Sequence, residues 1–226
     1  LISRLAKKNG ISVLLSGAGG DDIFSGYRRH QAIYLDNKIR YFKSMSRMLQ
    51  LKSGENVLNK LKLPRRVMKY LDGIQLEGDQ RLFNYFQWSN SDEIIGLFNN
   101  DLNETLSNVN INEDFTQFLT EVNLRNADYL QKILSLEQRF FLGEHNLVYN
   151  DKMSMAEGVE VRVPFLDNDL VNFVNNIPNS MKIRNFRPKY ILKKAMEPIL
   201  PHDVIYRKKR GFGLPITKWT RGLMKE

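Results

Sequence analysis

The chain has 226 residues, with 42% hydrophobic and 26% charged side chains, no cysteine, three histidines and a formal charge of +9. This size permits a hydrophobic core without staples, and the missing thiols exclude disulfides, Cys-ligated zinc, iron–sulfur clusters and a thiol nucleophile. The histidines (His30, His145, His202) are too scattered for a His-rich metal site, and 34 Lys and Arg against 25 Asp and Glu suit a phosphate-bearing partner: nucleic acid, nucleotide or anionic membrane.

No apolar run approaches the roughly 18 residues of a membrane span. No secretory signal opens the chain, and a cytoplasmic setting is expected. The first residue is Leu1 rather than Met, which reads as a chain missing its beginning. Ile2, Leu5 and Ala6 predict a helix over residues 2–9, stopped by Asn9-Gly10. The run ISVLLS, residues 11–16, predicts a buried strand of a parallel sheet. A Gly-rich turn follows at 17–20, then a helix from about Asp22 to Arg40. This is α/β wiring with one clear strand, so its partners lie outside the chain or are hard to see.

Residues 40–150 read as helical. RYFKSMSRMLQ is basic and amphipathic, LKSGENVLNKLKLPRRVMKYL is interrupted at Ser53-Gly54 and Pro64, and DQRLFNYFQW and SDEIIGLFNN read as short helices. Ser91 is a candidate N-cap without a full capping box, because Ile94 stands where Glu or Gln would complete it. The longest helix candidate runs from Asn126 to Met153, with Gly143 bending or ending it. Residues 158–167, GVEVRVPFLD, read as extended and end at an Asp cap. DLVNFVNNI is a helix stopped by Pro178, and a last helix opens with Pro188 near its first position. A basic loop, YRKKRGFGLPITKW, follows.

Three segments carry chemistry. In LLSGAGGDDIFSGYRRH, residues 14–30, a tight turn stands at the carboxyl end of the strand, where open α/β sheets bind ligands. Glycines let a backbone approach a ligand, and amides at a helix start suit an anion. Asp21 and Asp22 would stand in that helix's first turn, where a carboxylate suits magnesium. Helix capping alone explains the two acids equally well. The turn is neither GxGxxG, with Asp22 at the third glycine position, nor a Walker A loop. In the second segment, DKMSMAEGVEVRVPFLD at 151–167, Val159, Val161 and Val163 alternate with Glu160 and Arg162. That pattern fits a half-buried strand, and the plain reading of Glu160 and Arg162 is a structural ion pair. In the third, Lys189 stands beside a helix N-terminus against the dipole's preference; it is either a solvated lysine or a hint of an anionic partner.

Together the segments resemble the synthetase domain of the glutamine-dependent asparagine synthetase family. SGAGGDDIFSGY at 16–27 is similar to the family's SGEGxDExFGGY and SGDGGDELFxGY. SMAEGVEVRVPFLD at 154–167 is similar to SMAxGVExRxPFLD. Lys189 to Ala195 and Arg207 to Pro215 match the family's lysine helix and its basic glycine loop. The resemblance implies an α/β fold of the adenine-nucleotide alpha-hydrolase type, of which this piece is mostly α with its clear strand near residues 11–16. It implies that residues 1–226 are the C-terminal part of an ATP-dependent synthetase domain, without the upstream pyrophosphate loop and without the glutaminase domain, whose nucleophile is a cysteine. The piece by itself is therefore expected to be inactive.

The implied reaction adenylates a carboxylate, expected to be aspartate, and transfers ammonia from a glutaminase domain of the same polypeptide, giving asparagine, AMP and pyrophosphate. Its cofactors would be ATP and Mg2+. Ser16 and Gly17 match backbone contacts to the nucleotide, Asp21 the acid that holds magnesium with pyrophosphate, and Lys189 the catalytic lysine that contacts phosphate. Asp151 and Arg162 match family positions as structural supports. Ala18 departs from the pattern, which has Glu or Asp there. It favours a relative acting on another carboxylate, in polysaccharide or natural-product synthesis, or a catalytically silent homologue. A basic helical module that binds nucleic acid is the reading from a different class, and lacks a named binding motif. No membrane partner is expected, and a homodimer is left open.

Overall fold

The computed structural model describes residues 1–39, 76, 78–86, 94–99, 102, 110, 112–124, 127–208, 219, 220 and 222, with side chains from 36 to 39 excepted. The readings for 40–75, the Ser91 cap and most of the basic loop at 206–219 lie outside the described residues. The chain forms two compact units, Leu1–Tyr190 and Ile191–Glu226. The described part is mostly helical with short strands, as the resemblance implied.

Helix α1 (Ile2–Lys8) forms where expected, with Lys7 and Lys8 in its last turn beside the negative end of its dipole. Asn9 closes it, its side-chain amide donating to the Leu5 carbonyl at 2.8 Å. Strand β1 (Val13–Leu15) pairs in parallel with β2 (Glu160–Arg162), in the register Val13 to Glu160 and Leu15 to Arg162. Two further bonds lengthen this ladder: Glu160 N–H to the Ser12 carbonyl at 2.9 Å and Ser16 N–H to the Arg162 carbonyl at 2.8 Å. The partner strand is therefore the valine alternation of the second segment. Val159 is buried, while Glu160 and Arg162 point outward and pair at 2.7 Å.

Three expectations are corrected. The 11–16 strand is not buried: Val13 and Leu15 are 37% and 75% exposed. Among the described residues β1 is bonded only to β2, so the two-stranded ladder offers no second layer over those side chains. The helix expected from Asp22 to Arg40 is two helices, α2 (Gly20–Ile23) and α3 (Arg28–Ile39). They are parted because Ser25 takes a left-handed φ of 61° and Gly26 N–H turns back to the Asp21 carbonyl at 2.7 Å. Nor does Pro188 open a helix: it ends a two-stranded antiparallel hairpin, β3 (Ile183–Arg184) and β4 (Arg187–Pro188), and the next helix spans Tyr190–Met196.

Further along, α4 (Gly78–Phe86), α5 (Glu113–Glu121) and α6 (Tyr129–Leu136) supply most of the core. Ile33 of α3 meets Leu82, Phe83, Leu119, Leu130, Ile133, Leu134 and Leu136 there, with Ile183 of β3. Each such side chain contributes roughly 1.5–3 kcal/mol on burial. Asp128 caps α6, accepting from Gln131 N–H at 2.9 Å. Gly143 does not end the helical run. It lies within a π-helical segment, Glu137–Leu147, that continues α6 into α7 (Val148–Met155). Asp167 caps α8 (Asn168–Asn176), which stops at Ile177 before Pro178 as the sequence indicates. In the second unit, Lys194 pairs with Glu197 at 2.9 Å and Lys193 lies over the Tyr206 ring. No helix among the described residues is long and apolar enough to cross a membrane.

Candidate functional site

The turn between β1 and α3 carries the first set of candidate residues. Ser16 continues the β1 ladder, and its hydroxyl accepts from Ala18 N–H at 3.2 Å. Gly17 is exposed, with no atom within 4 Å of where a Cβ would stand. The other two glycines of the turn serve protein packing. Gly19 has φ 86°, and a side chain there would overlap Leu166. A Cβ on Gly20 would crowd Phe165 at 3.3 Å. The PFLD end of the second segment thus seats itself on the Gly-Gly pair of the first, which is why the two motifs form one unit. The open part of the turn is at Gly17, next to the half-buried Ser16.

Asp21 and Asp22 stand in the first turn of α2 and face different ways. Asp21 pairs with Lys189, Nζ to Oδ1 at 2.9 Å, each side chain 27% exposed. The hairpin makes this possible. Asn185 and Phe186 both have left-handed φ values, 48° and 61°, which is the geometry of a tight two-residue β-turn. Its tip is fixed to α3, since Gln31 donates to the Phe186 carbonyl at 2.8 Å and the Phe186 ring meets Tyr34 edge to face. Lys189 follows directly, itself at φ 55°, and its N–H donates to the Phe24 carbonyl at 3.2 Å. Gly26 completes the junction: any Cβ there would overlap both Asp21 Oδ1 and the Lys189 side chain. The absence of a side chain at Gly26 leaves the room that the ion pair occupies.

Asp22 turns inward and is buried. Tyr27 OH donates to its two oxygens at 3.4 and 3.3 Å. Below lies a polar cluster that the sequence reading missed. Glu137, fully buried, accepts from His30, Nε2 to Oε2 at 2.6 Å, and from Arg29 Nε. The Arg29 guanidinium lies 4.5 Å from the Tyr27 ring centre and 4.7 Å from that of Phe141. An acid inside the apolar run YLQKILSLEQRFFL was the signal that could have revealed it, because a carboxylate on a buried helix face needs partners. Burial, then the charges of Glu137 and Asp21, push the Asp22 carboxyl up from 3.8 to about 6. Burial and the Asp22 charge likewise hold the Tyr27 hydroxyl far above its usual range.

The consequence for stability has a definite sign. A carboxyl whose folded pKa is raised binds its proton more tightly in the folded state. Its contribution is fully present below about pH 4 and is lost as pH rises through about 6. Asp22→Asn should therefore be more stable than wild type above pH 7, by up to about 3 kcal/mol, with the difference closing toward pH 4. Urea unfolding of both proteins from pH 4 to 8 measures it; an equal difference at all pH values would disprove it.

The remaining candidates lie on α7 and β2. Asp151 and Lys152 are exposed on α7, where the Asp151 carbonyl accepts from the Ser154 hydroxyl at 3.1 Å. Arg162 pairs with Glu160 on the outer face of β2. Glu157 accepts from Arg4 at 2.9 and 2.7 Å, tying the end of α7 to α1.

The family model described as asparagine synthase matches residues 1–226. The chain belongs to the asparagine synthase family. Relatives within that family include asparagine synthetase [glutamine-hydrolyzing] 1 of Bacillus subtilis, 29% identical over 233 residues, covering 100% of this chain and 34% of that protein. A putative asparagine synthetase [glutamine-hydrolyzing] of Mycobacterium tuberculosis H37Rv is 30% identical over 223 residues, covering 97% of this chain and 32% of its own length. An amidase, chyE, of Penicillium rubens is 27% identical over 234 residues, covering 94% of this chain and 34% of that protein. The chain thus spans about a third of the length of these relatives. No solved structure matches.

Proposed function

We propose that this chain is the C-terminal, ATP-using part of an amide-forming ligase. The observation that carries the reading is the 2.9 Å contact of Asp21 with Lys189 beside the open Ser16-Gly17 turn, at the carboxyl end of β1. An anion-binding backbone, a hard oxygen ligand and an ammonium group occupy one small region, which is the equipment phosphate chemistry needs.

In this reading a carboxylate oxygen attacks the α-phosphorus of ATP, the bond to the β-phosphate oxygen breaks, and pyrophosphate leaves. Ammonia then attacks the acyl carbon, its nitrogen loses a proton, and AMP leaves. Ser16 and Gly17 contact the nucleotide. Lys189 stabilises the charge gathering on phosphate oxygens. Asp21 would hold magnesium, which, when bound, neutralises phosphate charge. The donor set fits that ion. Among the described residues no group of three or more His, Cys, Asp or Glu gathers to hold a metal. Magnesium commonly takes only one or two carboxylates and completes its shell with phosphate oxygens and water.

The acceptor is aspartate, and the ammonia comes from a glutaminase domain of the same polypeptide. A second acceptor class is favoured by one feature. Ala18 has no acid–base capacity where the family pattern has an acid, and a fungal relative named an amidase, 27% identical to this chain, is compatible with a different acceptor. ATP–pyrophosphate exchange by the full-length protein, run against a panel of carboxylic acids, separates the two. Exchange with aspartate alone supports asparagine formation; exchange with other acids alone supports the second class. In the same assay Lys189→Met should lower exchange by about 10²–10³-fold. Wild-type exchange by that variant would remove the reading.

A further inference from the structure

Lys189 presents its ammonium from a backbone conformation that a side chain disfavours. Ser25, Asn123, Asn185, Phe186 and Lys189 are the non-glycine residues with left-handed φ among the described residues. All but Asn123 lie in the two segments that meet beside Asp21, residues 24–26 and 183–189. Such conformations persist where the surrounding structure over-determines them, and they gather at functional sites.

The contacts that hold Lys189 can be followed along the chain. Ile183 is buried in the core and pairs with Pro188, so the hairpin is anchored one residue before Lys189. Lys189 N–H itself donates to the Phe24 carbonyl at 3.2 Å. The hairpin's tip is tied to α3, where Gln31 Nε2 donates to the Phe186 carbonyl at 2.8 Å. The residue after Lys189 is held as well. Arg184 Nη1 donates to the Tyr190 hydroxyl at 3.1 Å, and its guanidinium lies 5.2 Å from the centre of that ring. Arg184 of β3 thus links the hairpin to the residue that follows Lys189. Neither Gln31 nor Arg184 belongs to the set that contacts nucleotide or magnesium.

We propose that Gln31 and Arg184 are positioning residues for Lys189: they clamp the hairpin and Tyr190, so that Lys189 stays left-handed and its ammonium stays at the phosphate site. The proposal rests on the assignment of Lys189 to phosphate. Loosening the clamp lets the backbone at 189 relax toward the conformations that a residue with a Cβ prefers, and the Lys189 side chain swings with it. Both donors act at the surface, so their loss leaves the core of α4, α5 and α6 in place.

The test uses the full-length protein with Gln31→Leu and Arg184→Met. Deuterium uptake is read residue by residue by mass spectrometry with electron-transfer fragmentation. ATP–pyrophosphate exchange is measured with aspartate and the other acids of the panel. In each variant the Lys189 amide should take up deuterium about 5- to 10-fold faster than in wild type, the worth of one hydrogen bond. The amides of α6 should keep their protection, which a general loss of stability would not allow. ATP–pyrophosphate exchange should fall about 10-fold, and should fall no further when either change is added to Lys189→Met, because a positioning residue acts through the group it positions. Arg184→Lys keeps a donor and a charge and should lose less; Tyr190→Phe removes only the hydroxyl and repeats the Arg184 test should Arg184→Met fail to fold. An unchanged Lys189 amide, or one that speeds up together with the amides of α6, would overturn the clamp. A faster amide with wild-type ATP–pyrophosphate exchange would overturn the positioning role and leave the phosphate assignment standing. Wild-type ATP–pyrophosphate exchange by Lys189→Met would overturn the assignment, and the positioning role with it.

Discussion

Gly26→Ala should leave the protein folded and lower ATP–pyrophosphate exchange by about 100-fold. A methyl group at this position would occupy the space of Asp21 Oδ1 and the end of the Lys189 side chain. The atoms that must yield are the tips of two flexible side chains, so the backbone keeps its bonds from Gly26 N–H to Asp21 and from Lys189 N–H to Phe24. What moves is the pair itself. Displacing reacting or stabilising groups by about 1 Å costs catalysis roughly 100-fold. Gly222→Ala is the matched control, because nothing lies within 4 Å of its Cβ position and it is outside the proposed site. A folded Gly26→Ala protein with wild-type exchange would show that the Asp21–Lys189 geometry is irrelevant to turnover.

The second large effect is on stability. Glu137→Ala should destabilise the fold by about 3–5 kcal/mol, the range for removing one partner of a buried charge pair. Glu137 is fully buried and answers two groups, His30 at 2.6 Å and Arg29. Without it, the Arg29 guanidinium keeps only aromatic faces for company. Glu137→Gln retains one acceptor and should lose less. Urea denaturation of the two variants measures the order. An exposed pair provides contrast: Arg4→Ala removes the Glu157 contact at the surface and should change little, since such pairs are screened by water. Equal losses for Glu137→Ala and Arg4→Ala would disprove the account.

These expectations differ in how far they could be read from the residues alone. Helix α1, the Asp167 cap and the Pro178 stop follow from local chemistry, and local chemistry decides them. The strand at 160–162 was visible as valine alternation, because one of its faces is buried and the other wet. The hairpin at 183–188 was invisible. Its strands are two residues long and its turn residues, Asn185 and Phe186, include no glycine to announce the left-handed φ. The break before α3 was hidden for a related reason: Ser25, not a glycine, takes the left-handed φ, and the open space at Gly26 is filled by Lys189, 163 positions later. The π-helical stretch leaves no mark, since the apolar spacing around Gly143 suits an α-helix as well. Similarly, the burial of Glu137 depends on His30 and Arg29, over a hundred residues earlier. At the site, the resemblance pointed to the residues, and the three-dimensional structure added the glycines that seat the turn and the space that joins its acid to its lysine.

Lys189 holds its backbone at φ 55°, a region that costs most residues with a Cβ and suits glycine and asparagine better. On the proposed role of Lys189, selection for heat tolerance and selection for turnover pull this codon in opposite directions. A library screened by melting temperature would drift toward glycine or asparagine at position 189, and its most robust members would be its poorest catalysts.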